Sequence, residues 1–210
     1  MEQIGTRDPK AEFLQVYSDS VNRRNGAVAL RHWLTDETDF FEAPASSKYH
    51  LAYPGGLAIH SLNVYKRLLE ITARDVYGDP LAHVLLAEDV RETVAVLGLL
   101  HDVCKVGVYH QETKRRKDPD TGKWEDCLGY TFRDPFPLGH GEKSLFLIAR
   151  HMELTEEEAL AIRWHMGAYD DAVKGGARSM AEAMNLSPWV WRLQEADMCA
   201  AWIDERSAAE

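Results

Sequence analysis

Cysteine is scarce in this sequence, and its few members do not form a pairing pattern. Cys104, Cys127 and Cys199 are odd in number and far apart. That excludes a disulfide framework as the basis of the fold and predicts reduced thiols in a cytoplasmic protein. Long apolar runs are also missing. The longest, Val94 to Leu100, stops at His101 and Asp102, well short of the roughly 18 residues a membrane span needs. The opening residues, with Glu2, Gln3, Arg7 and Asp8, lack the basic-then-apolar order of a secretory leader. Positive charge is in deficit, with 24 Lys and Arg against 34 Asp and Glu for a net charge of −10. Such a surface repels the phosphate backbone, so neither long nucleic acid nor a membrane is an expected partner. The one basic cluster, Lys114-Arg115-Arg116-Lys117, lies in a polar segment and reads as a solvated face. There is no internal repeat and no low-complexity tract. A chain of 210 residues suits one domain with a buried core.

What is present is mostly helical periodicity. Asp8-Pro9 combines a capping residue with a proline at the first helical position. Phe13, Val16, Tyr17 and Val21 then give one apolar face, ending near Asn25-Gly26. A second helix is expected over about Ala27 to Leu34. Pro44, Pro54, Gly55 and Gly56 mark 42–56 as an irregular loop. Leu57, His60, Val64, Leu68 and Ile71 follow at helical spacing. Asp79-Pro80 repeats the cap-plus-proline signature and predicts another helix. Residues 93–100 are almost uninterruptedly apolar, so that helix is buried. Val106, Val108 and Tyr109, then Tyr130 and Phe132, flank the turn chemistry of Asp118-Pro119-Asp120-Thr121-Gly122, which predicts a small β-hairpin inserted around 106–134. Helices resume from Gly141 to Met152, from the capping box at Thr155-Glu156-Glu157-Glu158, and from Ser187-Pro188. The fold class is all-α, a helical bundle with one hairpin insertion.

Among nine histidines a His-Asp pair arises by composition about as often as not, so His101-Asp102 means little alone. Its setting means more. His101, Asp102 and Lys105 end a dry helix, and unpaired burial of such groups costs several kcal/mol. A divalent cation satisfies imidazole and carboxylate together, and Lys105 is positioned to meet an anion. His60, His165 and Asp197 also fall on otherwise apolar faces, and His140 stands at a Gly-His-Gly helix entrance. Any one buried histidine is more often a hydrogen-bonded core residue. Four histidines and two aspartates of this kind favour a shared metal centre.

These blocks carry a resemblance. The order His60, His101-Asp102, His140, His165, Asp197 resembles the HD superfamily of metal-dependent phosphohydrolases in its six-ligand, two-metal variety. Lys48-Tyr49-His50-Leu51-Ala52-Tyr53-Pro54-Gly55-Gly56-Leu57 is similar to that family's entry segment. His101-Asp102-Val103-Cys104-Lys105 is similar to its His-Asp-x-x-Lys signature. Leu138-Gly139-His140-Gly141-Glu142 and Arg163-Trp164-His165-Met166-Gly167 are similar to its later histidine blocks. The likeness covers residues 44–202, an HD core preceded by a helical extension over 1–43, with the whole of 1–210 read as one domain. The nearest resemblance is to the HD domain of YhaM-type 3′→5′ exoribonucleases, without their OB domain.

The resemblance implies that His60, His101, Asp102 and Asp197 hold one metal, and that Asp102 bridges to a second held by His140 and His165. The implied cofactor is one or two divalent transition-metal ions (Fe, Mn, Zn, Ni or Co), with two expected. Asp102 and Lys105 are the implied catalytic residues, Lys105 stabilising charge on the phosphoryl oxygens. Lys48, His50 and Lys143 are candidate substrate contacts, with an ordinary surface loop or a surface lysine as the plain alternative. The implied activity is hydrolysis of a small phosphorylated substrate, a nucleotide by expectation. Two other readings use the same residues: a mixed-valent di-iron oxygenase, and a metal-stabilised regulatory module without turnover.

Overall fold

Asp8 caps the first helix through its side chain, which accepts from the Lys10 backbone N–H at 3.1 Å. The structure, a computed structural model, describes residues 8–21, 24–118 and 120–206. The leader reading before Asp8, Pro119 of the turn and the side chain of Arg116 lie outside the described residues. Helix α1 (Pro9–Ser20) stops earlier than the expected Asn25-Gly26, and its apolar face ends with buried Val21. Helix α2 (Ala27–His32) passes into a π turn over Trp33–Glu37. After the irregular loop comes α3 (Gly56–Tyr77), which buries Leu57, His60, Val64, Leu68 and Ile71 as their spacing predicts.

The expected helix at Pro80 is corrected. Asp79 does cap, accepting from Leu81 N–H at 2.9 Å, but the segment is a short 3₁₀ helix, Pro80–Leu85, that buries no residue. Without an apolar face to dock, the cap signature alone does not propagate a helix. The next one, α4 (Glu88–Leu100), buries every residue from Val94 to Leu100.

The hairpin forms where predicted. Strand β1 (Tyr109–Lys117) pairs antiparallel with β2 (Trp124–Phe132), with Tyr109 opposite Phe132 and Lys117 opposite Trp124. In the turn, Asp118 Oδ1 accepts from the N–H groups of Asp120 at 3.0 Å and Thr121 at 2.6 Å. The base of the hairpin is packed, with Tyr130 buried and Tyr109 in ring contact with both Tyr130 and Phe132. Farther out, Trp124 and Leu128 are exposed.

Helices α5 (His140–Ala149) and α6 (Glu156–Trp164) follow. The α6 capping box is complete: Thr155 N–H donates to Glu158 at 2.9 Å, and Glu158 N–H donates to the Thr155 hydroxyl at 3.2 Å. Short helices α7 (Asp171–Lys174) and α8 (Ser179–Leu186) lead to α9 (Pro188–Cys199), which runs into a π turn over Ala200–Asp204. One apolar cluster gathers side chains from α1, α2, α3, α4, α5, α6 and α9. Among the described residues no helix is long and apolar enough to cross a membrane.

Two glycines set the helix crossings that matter for the site. A Cβ on Gly98 of α4 would meet the Tyr65 Cα of α3 at 2.5 Å. A Cβ on Gly141 of α5 would meet the Arg163 carbonyl oxygen of α6 at 2.1 Å. Each glycine lets two backbones touch, and each contact lies close in sequence to histidines on the paired helices.

Candidate metal centre

The four helices so paired deliver their polar residues to one place. His60 lies in the first turns of α3, His101 directly follows α4, His140 opens α5 and His165 directly follows α6. Their rings form a chain, with centroids 5.3 Å apart from His60 to His101, 5.1 Å from His101 to His165, and 5.3 Å from His165 to His140. His60, His101 and His165 are at most 1% exposed.

Asp102 is the hub. Its Oδ2 lies 3.4 Å from His60 Nε2 and 3.5 Å from His101 Nε2. Its Oδ1 lies 2.7 Å from His140 Nε2 and 3.6 Å from His165 Nε2. The carboxylate thus turns one oxygen to each pair of imidazoles. Asp197, from α9, adds a second carboxylate with Oδ1 at 3.2 Å from His60 Nε2. Two groups whose ligand atoms all lie within 4.8 Å of one another, His60-His101-Asp102 and Asp102-His140-His165, share Asp102, and Asp197 groups with His101 and His165.

Ring orientation follows from the backbone. His101 Nδ1 bonds the Gly98 carbonyl of its own helix at 3.1 Å, and His165 Nδ1 bonds the Ile162 carbonyl at 2.7 Å. His60 Nδ1 bonds Glu205 Oε1 at 2.9 Å. A donating Nδ1–H leaves Nε2 as the acceptor, the arrangement of metal-binding imidazoles. The Nε2 atoms of His101 and His165 are buried with no hydrogen-bond partner. Buried polar atoms are normally satisfied, so these two fit a bound cation. Burial holds His101 down to about 4, which keeps it neutral near pH 7, as a ligand must be. Burial alone would raise the Asp102 carboxyl, yet the Lys105 ammonium and the hydrogen bond with His140 hold it well below the usual range.

Lys105 sits in a 3₁₀ turn, Val103–Lys105, rather than on a continuation of α4. Side chains three apart nearly eclipse in such a turn, and its Nζ reaches Asp102 Oδ2 at 2.6 Å. A cavity of about 180 Å³ lies over the cluster, lined by His50, His60, Asp102, Lys105, His140 and Asp197 together with Met166, Tyr169, Met198, Ala201 and Trp202.

The candidate substrate contacts separate. His50 lines this cavity, its ring 5.0 Å from that of His60. Lys48 does not; it is exposed, with Nζ 5.1 Å from the Tyr49 ring centre. Lys143 is not a surface lysine: it is 5% exposed and paired to Asp134 Oδ1 at 2.6 Å. It lines a second cavity beside the first. Sequence reasoning missed Glu205, buried against His60 and also accepting from Asn63 Nδ2 at 3.1 Å. Its place in a polar tail gave no signal. The π turn carries it back toward α3, with Glu205 N–H bonding the Ala200 carbonyl at 3.0 Å.

No curated protein and no solved structure matches the chain, so the narrower likeness to YhaM-type exoribonucleases rests on the sequence blocks alone. A family model described as HD domain matches residues 57–202. That segment opens on α3 with His60 and ends just past Asp197, and the chain belongs to the HD domain family.

Proposed function

We propose that the chain is a metal-dependent phosphohydrolase that cleaves a phosphomonoester or phosphodiester of a small, nucleotide-like substrate. The family and the buried His/Asp cluster fit a metal-dependent hydrolase. The observation that carries the reading is the division of Asp102 between two imidazole pairs, with the Nε2 atoms of His101 and His165 otherwise unpartnered. One or two divalent transition-metal ions, two by this reading, are held by His60, His101, Asp102, His140, His165 and Asp197. Such ions, when bound, lower the pKa of water and polarise phosphoryl oxygens. The chain's own residues do the rest. Lys105 supplies a fixed cation, 12% exposed, for the phosphoryl oxygens. Asp102 holds the imidazoles in register across the centre. His50 stands at the cavity wall, its Nε2 buried without a hydrogen-bond partner and 3.8 Å from Glu205 Oε2, as a contact for a phosphate oxygen.

The closeness of Lys105 to the hub supports phosphoryl chemistry, because it provides for an anion beside the cluster, and oxygen uptake is the measurement that separates this from the oxygenase reading. The small cavity and the net charge of −10 support a small substrate over a long nucleic acid. We read residues 1–210 as one domain, since Phe13, Tyr17 and Leu30 of the N-terminal helices join the same apolar cluster as α3 and α4. Free Cys104, Cys127 and Cys199 support a cytoplasmic setting.

The test is direct. Protein reconstituted with Mn²⁺ or Fe²⁺ should hydrolyse bis-p-nitrophenyl phosphate without taking up oxygen, and Asp102→Ala should abolish the activity. Hydrolysis that survives the substitution would take the cluster out of the mechanism, and metal-dependent oxygen uptake would move the chain to the oxygenase class.

A further inference from the structure

Two cavities meet at Lys105 and His140. The first is the one over the cluster, with Tyr169 and Trp202 among its lining residues. The second, about 380 Å³, runs beneath the base of the hairpin between Tyr109, Phe132 and the start of α5. Among the described lining residues, Lys105 and His140 are shared by both. Each cavity offers aromatic surface to solvent. Tyr169 and Trp202 are each 55% exposed and Phe132 is 57% exposed. Tyr109 and Phe132 meet edge to face with centroids 5.7 Å apart, so the hairpin pairing itself fixes that wall.

Charge narrows the ligand further. Lys105 is the one Lys or Arg among the described residues lining the first cavity. In the second, Lys143 faces Asp134 at 2.6 Å, as Lys105 faces Asp102 at 2.6 Å, and Asp171 adds a further carboxylate there. Beyond the junction the charge is net negative among the described lining residues, with Asp134 and Asp171 against Lys143 in the second cavity and Asp197 against no lysine in the first, so a run of phosphates would be repelled there. One phosphate at the junction, with an uncharged arm on each side, meets every feature.

We infer that the ligand is a phosphodiester with two planar aromatic arms, its single phosphate at Lys105 and His140 and one arm in each cavity. This rests on the phosphohydrolase reading and narrows its substrate. A monoester fills one cavity and leaves the second aromatic wall uncovered; a nucleoside polyphosphate places negative charge where carboxylates are in excess, beside Asp134 and Asp171 or beside Asp197. Hydrolysis at the junction adds water across one P–O bond. The phosphorus gains the water oxygen, the released oxygen gains a proton, and the products are a phosphomonoester and an alcohol, one in each cavity.

The experiment uses the full chain loaded with Mn²⁺. Binding of the phosphorothioate of the dinucleoside monophosphate ApA is compared with binding of AMP, and cleavage of ApA is followed separately. Phe132→Ala and Trp202→Ala, each changing an exposed ring, should each weaken diester binding on the order of tenfold, the loss of one base–aromatic stack. AMP should respond to one of the two and not to both. Phe132→Tyr, which keeps the ring, should bind the diester as the native chain does. AMP binding as tightly as the diester would overturn the inference, as would Phe132→Ala or Trp202→Ala leaving diester binding unchanged. A diester bound with both arm effects but never cleaved would instead sink the hydrolase reading and leave the two-armed ligand standing.

Discussion

Asp102 divides the cluster into halves that differ in their contact with water. On its Oδ2 side, His60 and His101 are 1% and 0% exposed, and an acceptor holds each Nδ1. On its Oδ1 side, His165 is equally buried, but His140 is 32% exposed and lines both cavities. The first half is part of the core; the second has one ring in the core and one at the surface. The difference teaches which residues combine structural and chemical roles.

The most disruptive way to break this contrast is Gly98→Ala. The added methyl meets Tyr65 backbone, and overpacking of this kind costs about 1–3 kcal/mol. Urea unfolding should report that loss, and metal analysis should report poorer retention on the His60-His101 side. A change of less than about 0.5 kcal/mol would mean that the α3–α4 crossing tolerates spacing the structure does not have. Next is Glu205→Gln, which keeps the shape but weakens the acceptor for His60 Nδ1. Lost partners of metal-bound imidazoles cost about 10- to 100-fold in affinity, so the tightest metal site should weaken by that order while the fold holds. Equal weakening of both sites would erase the distinction between the halves.

His140→Ala is gentler on stability. At a partly exposed helix start it should shift unfolding by no more than about 0.5 kcal/mol, yet reduce bound metal by one equivalent. Metal content that stays at the native value would remove His140 from the ligand set. The smallest effect lies far from the centre, at Asp75, where burial would raise the carboxyl but Arg192 and Arg74 lower it below the usual range. Arg74 also pairs with Glu195. Because the folded-state pKa is the lower one, the stabilisation from Asp75 is present above the ordinary Asp range and is lost as pH falls through the folded value. The stability gap between the native chain and Asp75→Asn should therefore shrink as acid is added. A gap that is constant with pH would assign the effect to packing.

The legibility of the two halves in sequence was unequal as well. The apolar run Val94–Leu100 made the His101-Asp102 helix end readable, because a dry helix needs no tertiary partner to be recognised. Caps and turn residues did the same for α1, α6, α9 and the hairpin, whose signals lie within a few residues of their effect. Pro80–Leu85 misled because a cap starts a helix but packing sustains it. The burial of Lys143, a candidate substrate contact with a surface lysine as the alternative, is not legible because its partner Asp134 lies in the segment leaving the hairpin, and only the fold brings the two together. Glu205 was invisible for a similar reason: a π turn redirects the chain after α9. The aromatic walls at Tyr169 and Trp202 come from separate segments and have no joint signature.

The Nδ1 bonds of His101 and His165 to carbonyls in their own last helical turns carry one more consequence. Each ring takes its aim from a neighbour within the same segment, so neither waits for a distant contact or for an ion to be steered. Stripping the centre with a chelator leaves these two donors where they were, and refilling it is a matter of ions arriving rather than of side chains searching.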